Sequence, residues 1–456
     1  MSSSRRVLAA IGALAISLFV FSASATAVDP ASQATAASAV TWVETQQQSD
    51  GGFETVGFPG FETRDASLAI AEQAQTGASW STSQGKAALA ALHFGGGSGK
   101  TPLDALDAYA ATIKTAGEAA KTIVLSAAPL GIDPAAFDAA TDGSPVNLTA
   151  KLDPGCGANT ASFGTFSDTL YAVIAKKLVC GAAPSNAVAT IRAAQQSDGG
   201  WNFVGDPTAS GTDPDEIGLA LMALAASGVP STDAAVQHAL ALLASSQQSS
   251  GAWIDFFGTE GNASSTALAM LGITAAGYDA TSACWRDTVA PAKAGTAYGN
   301  PAAWIRSQQQ SDGHIASPYD TFGVNTLTTS QSVQGLLRSW LPVAPAASQT
   351  CVAPAPVVPT MTPVAGQSMT IAGDGFAPNT ALVVELHSTP VVLANTMTDG
   401  AGHYSVVVTI PLDATPGAHE IVVSGLDVNG EVRTSSIAIT VEAAAVPVVL
   451  VPSFAG

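Results

Sequence analysis

Two kinds of apolar stretch alternate along the first three quarters of the chain. The first kind is alanine-rich with apolar residues at helical spacing, and covers Ala31–Gln46, Ser185–Ala194, Thr232–Ser246 and Pro301–Gln308. An apolar stripe on one side predicts helices with one face in water. The second kind is apolar nearly all round, as in GLALMALAA (Gly218–Ala226), and covers Asp65–Gln75, Asp215–Ser227, Ser264–Ala276 and Thr326–Trp340. Helices of that kind are buried on every side. Leu103–Lys114 followed by Gly117–Leu130, and the segment Phe166–Val179, supply further members. The second-kind stretches begin near residues 65, 118, 167, 215, 264 and 326. That spacing, roughly 50 residues, marks a repeat array of helix pairs. Six buried helices inside six half-exposed ones predict an all-α (α/α)6 toroid over residues 28–345.

One short polar string recurs where the first kind gives way to the second: QQSDGGF at Gln47–Phe53, QQSDGGW at Gln195–Trp201, QQSSGAW at Gln247–Trp253 and QQSDGHI at Gln309–Ile315. Glycine permits the reversal, and Gln and Asp can bond backbone groups left open at helix ends. The expected role is a structural clip without chemistry of its own.

These turns resemble the QW-type repeats of the squalene cyclase and protein prenyltransferase superfamily (prenyltransferase/squalene oxidase repeats), over roughly Ala31–Leu341. The resemblance implies the toroid. It leaves activity open, because the same toroid also serves non-enzymatic binders. Class II terpene cyclases protonate an alkene with an Asp of a DxDD motif just ahead of an inner helix. The corresponding string here is Asp213-Pro214-Asp215-Glu216. The resemblance therefore implies Asp215 as the proton donor, although Glu216 replaces an Asp and Ile217 stands where a Thr is usual. Protein prenyltransferases hold zinc with Asp, Cys and His, a set the candidate inner helices do not carry; no metal or cofactor is expected.

Two observations favour binding without catalysis. Acidic residues in the first turn of a helix complement its dipole and need no further role. Aromatic residues make up only 6% of the chain, few for a cavity that must stabilise carbocations. The leading expectation is a ligand at the toroid mouth, where inner helices start. Its polar contacts would come from Asp65, Asp168, Asp215, Glu216 and Thr326, and its apolar contacts from Trp80, Tyr171 and Trp253. A small molecule, a glycan or a peptide would fit such a site. The alternative is an extracellular terpenoid cyclase-like enzyme using Asp215.

Beyond Val343 the pattern changes. Ala, Pro and Val dominate residues 346–358, as in a stiff linker. Period-two alternation follows at Ser368–Ile371, Ala381–His387, Val391–Met397, His403–Ile410, His419–Ser424 and Val432–Val441, punctuated by Asp374-Gly375, Asp399-Gly400, Pro416-Gly417 and Asn429-Gly430. Short strands at that spacing predict a β-sandwich over residues 359–442. GDGFAPNT (Gly373–Thr380) resembles bacterial Ig-like modules, which implies a spacer or adhesive role. Residues 443–456 form a short tail.

Composition and charge narrow the setting. Arg5 and Arg6, the apolar run Val7–Phe21 and the small residues Ala25-Thr26-Ala27 read as a secretory signal peptide over residues 1–27. Losing its two arginines takes the formal net charge from −19 to −21. Such an acidic chain repels phosphate backbones, which excludes nucleic acid as a partner. No membrane span is expected after the signal. The expected location is extracellular, with a cell-surface or extracellular partner possible. Four cysteines in an oxidising compartment favour two disulfides, and locality favours Cys156–Cys180 and Cys284–Cys351 over the other pairings.

Overall fold

The computed structural model describes residues 28–54, 60–77, 79–152, 156–293, 296, 298–320, 326–342, 362–387, 390–400, 402–427 and 432–442. The expected signal peptide, the linker at 346–358 and the tail lie outside the described residues. Helices follow one another as α1 (Pro30–Thr45), α2 (Glu62–Gln73), α3 (Thr82–Ala91), α4 (Pro102–Thr112) and α5 (Ala116–Thr122), which runs through a π turn at Ile123–Ala127 into α6 (Ala128–Leu130). Then come α7 (Leu148–Leu152), α8 (Phe166–Cys180), α9 (Ser185–Ala193), α10 (Pro214–Ala226), α11 (Ala234–Ser246), α12 (Ala263–Ala275), α13 (Ala283–Val289), α14 (Pro301–Ser307) and α15 (Thr326–Leu337). The π turn precedes Pro129, whose missing N–H disturbs the ordinary helical ladder.

The inner helices close a ring. α2 packs on the α5–α6 segment, that segment on α8, α8 on α10, α10 on α12, α12 on α15, and α15 back on α2. Their side chains are buried almost throughout, as the all-round apolar pattern predicts. Neighbouring helices lie close where glycines face each other between them. A Cβ at Gly218 would sit 2.2 Å from the Leu268 carbonyl oxygen, and one at Gly272 would meet the Gly218 backbone at 2.6 Å. Only glycine allows α10 and α12 to approach so closely. Helices α3, α7 and α13 are additions the periodicity did not predict. α3 buries only Gly85 and Leu89, too little to leave an apolar stripe in the sequence.

The repeated turns fasten one repeat to the next. In each, the first Gln donates from Nε2 to the carbonyl of the glycine four residues on: Gln47 to Gly51 (3.3 Å), Gln195 to Gly199 (2.7 Å), Gln247 to Gly251 (3.1 Å) and Gln309 to Gly313 (3.0 Å). The same amide reaches the following repeat, at Lys100 (3.4 Å), Ala235 (2.8 Å), Gly299 (3.2 Å) and Thr35 (3.0 Å). Asp50 and Asp198 each accept from the backbone N–H two residues on, and Ser250 substitutes for them at 3.4 Å. The closing aromatic enters the core: the Trp201 and Trp253 indoles donate to Ile191 (2.7 Å) and Leu243 (2.9 Å) carbonyls. A fifth member survives without its sequence signature. The Phe163 N–H donates to Thr169 as Phe53 does to Thr63, Trp253 to Thr266 and Ile315 to Thr329.

Strands β1 (Trp253–Ile254) and β2 (Gly261–Asn262) form a small hairpin within the ring domain. The C-terminal part is antiparallel β: β3 (Ser368–Gly373), β4 (Ala381–His387), β5 (Val391–Met397), β6 (Tyr404–Thr409), β7 (Gly417–Leu426) and β8 (Val432–Val441). β3 pairs with β6, and β5-β4-β7-β8 make a second sheet. Inward residues such as Ile371, Val384, Val408, Ile421 and Ile439 share one core. The six expected strands are all present.

Cys156 and Cys180 are bridged, as expected. The second expected bridge is not formed among the described residues: Cys284 is a free, partly buried thiol, and Cys351 lies outside them. No helix among the described residues is long and apolar enough to cross a membrane.

Candidate functional site

The first turns of the inner helices gather at one end of the ring. Lys121 of α5 lies 3.4 Å from Asp65 of α2. Gln331 and Gln334 of α15 both donate to Asp65 Oδ1 at 3.4 Å, and Ser264 of α12 donates to Gln331. Ser167 of α8 donates to Glu216 of α10 at 2.5 Å. Polar side chains therefore pass from helix to helix around the mouth.

The two sides of this mouth differ in charge. The α2–α5 side carries cations. Lys121 lies over the Phe61 and Tyr171 rings, and Arg64 lies over Tyr109 while donating to the Gly60 carbonyl at 2.7 Å. The α8–α10–α12 side is acidic. Asp213 caps α10 by accepting from the Asp215 N–H at 3.1 Å. Asp255 accepts from Asn262 (2.7 Å), the Phe257 N–H (2.7 Å) and the Tyr319 hydroxyl (2.8 Å). Among the described residues none of Asp213, Asp215, Glu216 and Asp255 forms an ion pair.

This arrangement raises the proton affinity of the carboxyls. Burial pushes Asp215 up to about 8, and the nearby Asp213, Glu216 and Asp255 push the same way. Burial pushes Glu216 up to about 7 despite its bond from Ser167, with Asp213 and Asp168 adding to the effect. Burial also raises Asp213, with Asp255 contributing. Asp215 is only part-buried as a residue, yet its Oδ1 is shut off from solvent without a hydrogen-bond partner, as is Oε2 of the buried Glu216.

Four exposed phenylalanines form an aromatic rim, Phe61 beside Lys121 and Phe256 and Phe257 beside the acidic groups. Phe61, Phe203, Phe256 and Phe257 are 53%, 56%, 44% and 77% exposed. Each lies in the segment that joins a repeated turn to the next inner helix. The segment before α10 touches its neighbours: Gly205 meets the Phe166 ring at the start of α8, and Gly211 meets Phe256, which packs edge-on against Phe257.

Below the mouth the ring axis is nearly filled. Its cavity holds about 30 Å³, lined at the mouth end by Asp65, Tyr171 and Gln334. Aliphatic side chains such as Leu68, Leu125, Leu219 and Leu271 follow, and Trp340 and Pro342 lie at the far end. Trp340 packs against Trp80 with its ring tilted by 51° and donates its backbone N–H to Glu72 at 3.1 Å.

The structure thus brings Asp65, Tyr171, Asp215 and Glu216 to one end. Thr326 is buried at the start of α15. Asp168 forms a capping box with Thr165, the plain helix-capping role. Trp80 stands with Trp340, away from the mouth, because its indole is held by the Pro129 carbonyl at the end of α6. Trp253 is wholly buried as part of its clip. Sequence reasoning missed Lys121, Asp255, Tyr319 and the four rim phenylalanines. The available signal was the recurrence of aromatics between each repeated turn and the helix after it.

No family model matches the chain. A putative endo-alpha-N-acetylgalactosaminidase from Renibacterium salmoninarum is 35% identical over 103 residues, which is 23% of this chain. The match spans only 7% of that relative's length. Among solved structures, the apo type II terpene cyclase MstE from Scytonema is 15% identical with a TM-score of 0.45, covering 68% of this chain and 98% of that one. A variant of it with geranylgeranyl dihydroxybenzoate (substrate) bound is 14% identical with a TM-score of 0.44, covering 68% and 97%. A protein from Actinoplanes is 18% identical with a TM-score of 0.41, covering 68% and 99%.

Proposed function

We propose that the helical domain is a secreted, non-catalytic binding module whose ligand rests on the mouth of the ring. The observation that carries this is the pairing of a nearly filled axis, about 30 Å³, with a mouth where exposed phenylalanines lie above buried carboxyl oxygens that have no hydrogen-bond partner. Enclosed sites for small molecules run to about 300–1,000 Å³, so the ligand sits outside the shaft. Asp65, Tyr171, Asp215 and Glu216 provide the floor, and Phe61, Phe203, Phe256 and Phe257 the walls. The Cys156–Cys180 bridge fits an oxidising compartment. The C-terminal β domain serves as an Ig-like spacer or adhesive module.

The test is a thermal-shift screen of the mature chain against sugars, amines, peptides and terpenoids. A true ligand's stabilisation is lost in Phe257→Ser and in Asp215→Asn. A ligand that stabilises both variants as well as the parent binds elsewhere and refutes the reading.

One observation favours a second reading. A carboxyl kept protonated near neutral pH, as at Asp215, is what a terpenoid cyclase-like general acid requires. Conversion of a linear prenyl substrate, abolished by Asp215→Asn, would establish that enzyme; the small cavity argues against it.

A further inference from the structure

The mouth's acidic side gathers carboxyls that, among the described residues, no cation pairs with. Glu216, 6% exposed, has Oε2 buried without a partner, and the charged groups facing it are Asp213 and Asp168. The Asp215 Oδ1 is likewise partnerless, faced by Asp213, Glu216 and Asp255. The uncharged polar neighbours are Ser167 on Glu216, Ser265 on Asp215, Tyr319 on Asp255, and Tyr171 facing both Asp215 and Glu216. The cations at the mouth, Lys121 and Arg64, are engaged on the opposite side with Asp65, Thr122 and aromatic rings.

What would complete this site is positive charge, and the geometry decides its form. Among the described residues no three of these carboxylates come close enough together to hold one metal ion. A compact divalent ion requires such convergence. A diffuse cation does not, and it gains further from aromatic faces. Phe257 is joined to the acidic group directly, since its N–H donates to Asp255. Phe256 lies against Gly211, two residues before Asp213.

We infer that the mouth is a receptor for an organic cation, an ammonium group on an apolar body, held between Asp215, Glu216 and the rim phenylalanines. This deepens the mouth-binding reading and rests on it. The ammonium group takes the place of the missing counter-ion, and the apolar body covers Phe256 and Phe257.

The experiment is calorimetric titration of the mature chain with choline and with phenethylamine, alongside 3,3-dimethylbutan-1-ol (a neutral shape mimic of choline) and calcium. Both cations should bind, at least tenfold more tightly at pH 9 than at pH 6, releasing protons between those limits as Asp215 and Glu216 ionise. Glu216→Gln should reduce the pH dependence, and Glu216→Gln with Asp215→Asn should abolish it. Phe257→Ser, a change at an exposed position, should weaken binding while leaving the melting temperature unchanged. Equal binding of the neutral mimic overturns the cation proposal and leaves the mouth reading standing. Calcium binding in place of the amines overturns it in favour of a metal. Failure of all four probes to bind at millimolar concentration overturns it as well, and the broader ligand screen then decides the mouth reading separately.

Discussion

The side-chain amide of Gln309 donates to the backbone carbonyl of Thr35, so the last repeated turn is fastened to the first helix. The two residues are 274 positions apart, and this bond is where the ring closes. Arg306 reinforces it by reaching Asp29 and Ser32 across the same seam. A linear solenoid would have no such contact. Its presence makes the four glutamine clips equivalent, each reaching α1, α4, α11 or α14, or the residues just ahead of it, from the turn before.

Gln309→Leu should destabilise the helical domain by about 1–3 kcal/mol, because two carbonyls, those of Thr35 and Gly313, lose their donor. The neighbouring Gln310→Ala should change stability by less than about 0.5 kcal/mol, since Gln310 bonds only at the exposed surface. Urea unfolding of the two variants checks this. Equal losses would mean that the repeated glutamines act through local helix ending and not through closure.

Stability should fall as pH rises from 5 to 8. The Glu216 carboxyl has an ordinary value of 4.5 in the unfolded chain and about 7 in the folded one. Below 4.5 both states hold the proton, and there is no effect. Between 4.5 and 7 the unfolded chain gives up its proton first, so folding loses ground. Above 7 the loss is complete, on the order of 3 kcal/mol for this residue. Asp215, raised to about 8, extends the window upward. Urea midpoints at pH 5 and pH 8.5 measure the decline. Glu216→Gln should flatten it; a variant with the parent's slope would place the titration elsewhere.

The ring and its clips were legible because their signals are repetitive. The all-round apolar runs located the inner helices within a few residues, and the glutamine turns located the seams. Period-two alternation did the same for the six strands. What was not legible depends on which loops meet in space. Asp255 reads in sequence as an ordinary loop acid, and only folding sets it beside Asp213 and Tyr319. Phe203 and Phe257 look like core residues by type, yet their segments end at the rim. Trp253 was assigned to the mouth because aromatics line binding sites, but its clip carries it inward. The closeness of neighbouring helices was also hidden: Gly218 and Gly272 lie in separate repeats, and their contact appears only once α10 and α12 are packed.

Reducing the Cys156–Cys180 bridge should cost about 3 kcal/mol, the chain-entropy value for a loop of this length, given its separation of 24 residues. The bridge ties the C-terminal end of α8 to the segment before that helix. Thermal unfolding with and without reductant checks the loss. Because Cys284 is a free thiol, Cys284→Ser should leave the reductant-dependent difference unchanged. A difference that disappears in Cys284→Ser would show that another pairing carries the stabilisation.

The Lys121–Asp65 pair separates the cost of a broken ion pair from the worth of an intact one. Asp65 is 2% exposed, and among the described residues its Oδ2 has Lys121 as its charged partner at 3.4 Å. Lys121→Met should destabilise by about 3–5 kcal/mol, since it leaves a buried carboxylate supported only by the amides of Gln331 and Gln334. Lys121 also loses its seat over Phe61 and Tyr171, which Met's apolar chain partly refills. The double variant Lys121→Met with Asp65→Leu should recover most of that stability, because no charge is left uncompensated. Four urea curves complete the cycle. If the double variant is no better than Lys121→Met alone, the lysine acts by packing against the aromatic rings, and charge balance at the mouth is not what holds α2 to α5.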